Sequence, residues 1–169
     1  MSDPGKSCVL DARGVHKSFT GPDGSVIKVL QGADLSVHQG ESLSIRGESG
    51  SGKSTFLNVI SWLDRPDSGS VVWDSTEVPR ISDREIARRR AEVLGFVFQS
   101  YNLLPVLSAL ENVEMPLLIG GVKPATARTK ARERLAEVGL SDWATHKPAE
   151  LSGGQAQRVA VARALVNNP

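Results

Sequence analysis

Gly47-Glu48-Ser49-Gly50-Ser51-Gly52-Lys53-Ser54 decides how this chain is read. The stretch has the form G-x-x-x-x-G-K-S, a phosphate-binding P-loop. Gly47, Gly50 and Gly52 let the backbone turn tightly and approach an anion, because no Cβ stands in the way. Successive N–H groups then converge into a nest for a polyphosphate. Lys53 brings a positive charge to the β- and γ-phosphates, and the Ser54 hydroxyl is placed to ligate Mg²⁺. The motif needs a strand before it and a helix after it. Leu43 and Ile45 alternate with Ser42 and Ser44 at strand period. Phe56, Val59, Ile60 and Leu63 then fall on one face of a helix whose dipole favours the anion. Arg46 is the one residue that a buried strand would not choose. A Gly/Ser linker would not set a lone lysine between a strand and an amphipathic helix.

Upstream, Cys8, Leu10 and Ala12 alternate as a first strand ending near Phe19. Residues 1–7 are polar and are expected to fray. Gly21–Ser25 is a turn cluster, after which Val26–Leu30 and then Ala33–Val37 resume strand character. Strands joined by short turns ahead of the first helix imply an antiparallel β-region flanking the core. Phe19, at a strand end, either packs in that core or stacks on a base.

Downstream, Arg65–Gly69 is a turn and Val71-Val72-Trp73 a short strand. Asp74 imitates a metal-ligating carboxylate, but only a short turn separates its strand from the P-loop helix, so it reads as part of a surface turn through Thr76. Ser82-Asp83-Arg84-Glu85 is a capping box that starts a helix. Its Arg84, Arg88, Arg89 and Arg90 are interleaved with Glu85 and Glu92, as on a solvated face rather than a nucleic-acid groove. Leu94–Phe98 is a buried-strand run ending at Gln99. A polar residue just past the C-terminal end of a core strand lies where α/β folds put their chemistry. Spacing alone leaves Gln99 balanced between a metal or water ligand and an ordinary surface residue.

From Tyr101 to Glu150 the pattern is helical, a helical insertion with Gln99–Asn102 as its hinge. Ser108–Glu111 is a capping box, and Leu110, Val113, Leu117 and Leu118 form the apolar face behind it. Pro116 within that face is expected to kink or shorten the helix. Pro124 opens the next helix and Gly139 closes it, with Leu135 and Val138 facing inward.

Composition sets bounds. The 169 residues, 40% hydrophobic and 23% charged, suit one globular domain or part of a larger one. Twenty Lys and Arg against nineteen Asp and Glu leave a net charge of +1, which supports neither nucleic-acid binding nor a polybasic membrane anchor. The single Cys8 excludes an internal disulfide and a cysteine zinc cluster and fits a reducing compartment. No apolar run is long enough to span a bilayer, and the N-terminus has no signal-peptide core. The expectation is a cytosolic protein, any membrane role of which comes through a partner.

A second motif lies about a hundred residues beyond the P-loop. Leu151-Ser152-Gly153-Gly154-Gln155 precedes an Ala/Val-rich helix running through Leu165. Ser152 and Gln155 form an S-x-x-Q capping box, and Gly153 and Gly154 expose the first backbone N–H groups, so this helix start is a second anion site.

With both motifs in view, the chain from about Val9 to Pro169 resembles the nucleotide-binding domain of an ABC (ATP-binding cassette) ATPase. Gly47–Ser54 matches the P-loop, Gln99 the Q-loop glutamine and Leu151–Gln155 the signature motif. Phe19 falls where the family has its adenine-stacking aromatic. Gly95–Leu118, with Phe98-Gln99 and Asn102-Leu103-Leu104-Pro105, most resembles the subgroup of lipoprotein-release, macrolide-export and cell-division ATPases. The resemblance implies an α/β P-loop NTPase fold with an antiparallel β-subdomain, a partial RecA-like parallel core and a helical insertion. It divides the chain into residues 8–46, 47–99, 100–150 and 151–169. It implies ATP and Mg²⁺ as cofactors. Phe19, Gly47, Glu48, Ser49, Gly50, Ser51, Gly52, Lys53, Ser54 and Thr55 would hold the nucleotide, Ser54 and Gln99 the metal, and Gln99 the water. It implies a head-to-tail homodimer, in which Leu151, Ser152, Gly153, Gly154 and Gln155 face the ATP of the partner subunit. It also implies a membrane-spanning transporter subunit on a separate chain, and no nucleic acid.

The family pattern continues with an apolar strand carrying a metal-binding Asp and a catalytic Glu, then a γ-phosphate-sensing His. None follows Pro169, and His16, His38 and His146 lie in the wrong places to substitute. The expectation is therefore a cassette incomplete at its C-terminus, inactive by itself and poorly folded alone. Two other readings stay open: a soluble ABC ATPase outside transport, and an ATP-binding module without turnover.

Overall fold

The computed structural model describes residues 7–74, 76–77 and 82–169. The expected fraying of residues 1–6 and the Ser75 position of the expected turn lie outside them. The chain forms two compact units, Met1–Ile86 and Ala87–Pro169. Segment 8–46 falls in the first unit, segments 100–150 and 151–169 in the second, and 47–99 spans the division.

The first unit is an antiparallel sheet with one helix against it. Strands β1 (Cys8–Thr20), β2 (Val26–His38), β3 (Ser68–Trp73) and β4 (Thr76–Glu77) lie in the order β2-β1-β3-β4. The two segments read from the sequence at 26–30 and 33–37 are one continuous strand. The pairing absorbs register shifts along β1, and Gly32 takes a left-handed φ of 85°. Gly69 is required by crowding: a Cβ there would fall 2.4 Å from the Gly14 carbonyl oxygen. Helix α1 (Lys53–Ile60) buries Phe56, Val59 and Ile60, and Ala12, Val15, Leu30, Val71 and Trp73 are the buried residues of the sheet.

Leu63 does not extend that helical face; it is 46% exposed and lies outside the helix. The chain instead closes α1 with a 6→1 bond from Leu63 N to Asn58 O, and Trp62 takes the left-handed position with φ 56°. The end carbonyl of Ile60 accepts a hydrogen bond from Trp73 Nε1 at 2.8 Å, so a strand residue satisfies a helix terminus. Asp74 is exposed at the end of β3 with φ 42°, in a turn.

The second unit is a helical bundle. Helix α2 (Asp83–Val93) carries the chain across the division at 86/87, and α3 (Ala109–Ile119), α4 (Pro124–Glu137) and α5 (Gly153–Leu165) follow. Leu110, Val113, Leu117, Ala131, Leu135 and Val159 pack into one buried cluster. Helix α3 runs through Pro116 to Ile119 rather than stopping before it; the proline sits in the last turn, where one lost ladder bond ends little helix. Pro124 opens α4 at its first turn. Gly139, at φ 68°, closes it with a 2.8 Å bond from Leu140 N to Leu135 O. Arg88 pairs with Glu92 across one turn of α2.

Two stretches read as core strands, Leu43–Ile45 and Leu94–Phe98, are not in a ladder among the described residues. Alternation or an apolar run records which faces prefer burial, but a parallel strand exists only through neighbouring strands. Without them Leu43 is 44%, Val97 50% and Phe98 39% exposed. Arg46, the residue that fitted a buried strand badly, is exposed.

Candidate nucleotide-binding site

The loop of residues 47–52 turns on glycines in the left-handed region, Gly50 at φ 80° and Gly52 at φ 87°. Gly52 is doubly constrained, because a Cβ would lie 3.0 Å from Val29 Cγ1 and 3.1 Å from Val29 O. This contact seats the loop on β2. Gly52 is the N-cap of α1, where no side chain caps the helix and no acidic residue occupies the first turn. The first N–H groups of α1, from Lys53, Ser54 and Thr55, therefore keep their positive end of the dipole for an outside anion. Ser54 is exposed on that turn.

Lys53 is folded into the loop. Its Nζ donates to Gly47 O at 2.9 Å, Glu48 O at 2.6 Å and Ser51 Oγ at 3.4 Å. These partners are neutral, and they hold the ammonium at the centre of the turn. The bond from Ser51 N to Glu48 O at 3.2 Å tightens the same turn.

Phe19 belongs to the same surface. It pairs with Ile27 across the β1–β2 ladder, and Val29, two residues on, is the residue touching Gly52. Two residues of strand are ~7 Å, so the aromatic and the loop lie a short step apart on β2. Phe19 is 43% exposed. Lys17 Nζ sits 5.3 Å from the Phe19 ring centroid, and is itself anchored at 2.8 Å to both Asp64 Oδ1 and Arg65 O. Sequence reading passed over Lys17 and Asp64. Strand period 2 was the available signal for Lys17, since it shares a strand face with Phe19.

In the second unit the helix start is built as its sequence pattern predicts. Ser152 Oγ accepts from Gln155 N at 3.3 Å, and Gln155 Oε1 accepts from Ser152 N at 2.8 Å. Ser152, Gly153 and Gly154 are exposed, nothing lies within 4 Å of a Cβ placed on Gly154, and Leu151 packs against the helical core. Gln99 is exposed in a turn. The two residues at the end of its loop, Tyr101 and Asn102, both have left-handed backbones, at φ 58° and 46°. Asparagine takes that conformation readily, whereas for tyrosine it costs about 1–2 kcal/mol. Arg163 of α5 holds them there, with Nη2 on Tyr101 O at 2.7 Å and Nη1 on Asn102 O at 2.6 Å. Burial pulls the Arg163 guanidinium below its ordinary value. No group of three or more His, Cys, Asp or Glu side chains forms a metal site among the described residues.

Residues 30–169 match the ABC transporter family. This chain belongs to that family. It is an ATP-binding subunit of an ABC transporter and an ATPase of the P-loop class. A lipoprotein-releasing system ATP-binding protein, LolD of Geobacter metallireducens, is 50% identical over 96% of this chain and 72% of its own length. The pyoverdine export ATP-binding/permease protein PvdT of Pseudomonas fluorescens is 46% identical over 94% of this chain but only 24% of its own. Among solved structures, the cassette MJ0796, described as a dimeric post-hydrolysis state bound to ADP and Pi, superposes with a TM-score of 0.85. That structure is 43% identical and is matched over 95% of this chain and 70% of its own. The α/β cassette fold is thus established even where the Leu43–Ile45 and Leu94–Phe98 stretches form no ladder. No helix among the described residues is long and apolar enough to cross a membrane.

Proposed function

We propose that this cassette binds MgATP with its triphosphate in the 47–55 loop and its adenine on Phe19. The observation that carries the reading is the Lys53 ammonium, held inside the loop by neutral carbonyls beside an uncapped helix start. An arriving phosphate replaces neutral acceptors with charged ones, which strengthens the bonds Lys53 makes. Phe19, backed by Lys17, offers a flat apolar face to a base.

The Ser54 hydroxyl of the first unit and the Gln99 side-chain carbonyl of the second are each the kind of oxygen donor that Mg²⁺ takes. A hard cation that keeps much of its water needs few protein ligands. When bound it supplies charge neutralisation at the β- and γ-oxygens. Lys53 and the loop amides orient the phosphates, and Gln99 orients a water.

The second anion site has a use in a head-to-tail pair of cassettes. The Gly153–Gly154 amides of one copy then close on the phosphates held by the loop of the other, excluding water. The MJ0796 cassette, a dimer bound to ADP and Pi, supports the pairing of two cassettes. The LolD relatives, each the ATP-binding protein of a lipoprotein-releasing system, support a separate membrane-spanning subunit and, with it, a location at the cytoplasmic face of the membrane.

The test is a thermal-shift titration with MgATP. At 100 times its dissociation constant a ligand stabilises by about 2.7 kcal/mol. Lys53→Ala should lose most of that shift, and an undiminished shift in the variant overturns the assignment.

A further inference from the structure

The segment from Gly95 to Asn102 lies along α5. At one end a Cβ on Gly95 would fall 2.3 Å from Ala164 O, in the last turn of the helix. At the other, the Tyr101 hydroxyl oxygen lies 3.8 Å from where a Cβ on Gly153 would be, in the first turn. The extended part, 95–98, covers ~10 Å of the ~16 Å that the helix rises from 153 to 164. Residues 98–101 then turn, with Tyr101 N bonded to Phe98 O at 3.0 Å, and the Tyr101 side chain covers the remainder. Gln99 sits inside this segment, two residues before Tyr101.

Two features of the far end need a reason. Tyr101 adopts a backbone that L side chains rarely take. Arg163, a half-buried cation, spends both of its terminal nitrogens on the Tyr101 and Asn102 carbonyls rather than on a carboxylate. A guanidinium's fixed fork suits two adjacent acceptors, which a lysine's single ammonium cannot match.

We propose that Arg163 and Tyr101 are positioning residues that make Gln99 and the Gly153–Gly154 amides move as one body. Arg163 fixes the left-handed step that sets where Gln99 lies. The Tyr101 side chain carries that step back to the helix start, so an anion that displaces the first turn of α5 displaces Gln99 with it. The functional weight of this strut rests on the roles given above to Gln99 and to Gly153–Gly154.

Amide hydrogen exchange on the full chain tests it. The reporters are Tyr101 N, bonded to Phe98 O at 3.0 Å, and Asn102 N, bonded to Ser100 O at 2.6 Å. Arg163→Ala should quicken exchange at both by about tenfold or more, since two charge-assisted bonds are lost, while α3 and α4 keep their protection. If that variant does not fold, Arg163→Lys replaces it with the same expectation. Unchanged exchange at both amides in a folded variant overturns the strut. Tyr101→Phe, which keeps the backbone bonds, should shift the amide resonances of Gly153 and Gly154, and unmoved resonances overturn the link to the helix start.

Calorimetry separates this proposal from the reading beneath it. Gln99→Ala and Arg163→Ala should each weaken the Mg²⁺-dependent part of ATP affinity, and the double variant should lose no more than the larger single loss. Quickened exchange with an unchanged Mg²⁺ dependence in Gln99→Ala keeps the strut and overturns the metal role of Gln99.

Discussion

Replacing Asn112 by alanine should loosen the connection between the Gln99 loop and α3. Asn112 is 1% exposed, and its amide is saturated by one stretch of chain. Oδ1 accepts from Leu104 N at 2.7 Å. Nδ2 donates to Leu104 O at 3.1 Å, Leu107 O at 3.1 Å and Ser108 O at 2.9 Å. Ser108 O already accepts from the backbone of Asn112, so the side chain supplies the other three bonds on its own. At about 1 kcal/mol net for each, their loss amounts to about 3 kcal/mol. Leu104 is 44% exposed, so water can recover part of its share, and the expected loss is about 2–3 kcal/mol.

Urea unfolding followed by Trp143 fluorescence measures this, because Trp143 packs against the helical core. With a slope of about 1–3 kcal/mol per molar urea, the midpoint should fall by about 0.7–3 M. Asn112→Asp should cost at least as much, because a carboxylate would face three carbonyl oxygens where an amide donates. A loss below about 0.5 kcal/mol in Asn112→Ala, or an unchanged exchange rate at the Leu104 amide, would refute the reasoning, since an ordinary surface substitution does as little.

Gly154→Asp should leave the fold and the nucleotide affinity of a single cassette unchanged, because nothing lies within 4 Å of the new Cβ and a carboxylate suits a helix start. It should abolish ATP-driven pairing in light scattering by repelling the triphosphate, and normal pairing would remove the head-to-tail arrangement. Glu111, which accepts from Ser108 N and Oγ at 2.8 Å each, has its carboxyl held below the ordinary value of 4.5, chiefly by the Ser108 backbone bond. The folded value lies below the unfolded one, so this stabilisation is present above the unfolded value and fades as pH falls through the folded one. Glu111→Gln keeps an S-x-x-Q box like that of Ser152 and Gln155, so it should flatten that share of the acid loss in a urea titration and leave neutral stability nearly unchanged.

What the sequence disclosed was what depends on a few neighbouring residues. The Ser152/Gln155 and Ser108/Glu111 boxes close within four positions, and each is found bonded in both directions. Pro124 and Gly139 mark the ends of α4 for the same reason. The glycines of the P-loop carry their conformational requirement in their identity. Leu63 was misplaced because α1 stops without glycine, at a Trp62 whose left-handed backbone no local propensity announces. The strand character of Leu43–Ile45 and Leu94–Phe98 was misjudged because a ladder is a property of several segments at once.

Asn112 and Arg163 were hidden for a different reason. Each is a polar side chain on a helix, and its role is set by a loop that sequence patterning treats as blank. Asn112 left a faint mark, an amide between the apolar Leu110 and Val113 on an inward face. Arg163 left none, for its acceptors lie 61 and 62 positions earlier. Nor does Tyr101 advertise its backbone, because tyrosine is a poor choice for a left-handed step. That mismatch between residue and conformation is informative in itself. Strain of this kind persists only where surrounding contacts over-determine it. Here those contacts come from the helix whose first turn carries Ser152–Gln155, so the residues least legible in the sequence are the ones that tie its two functional motifs in the second unit together.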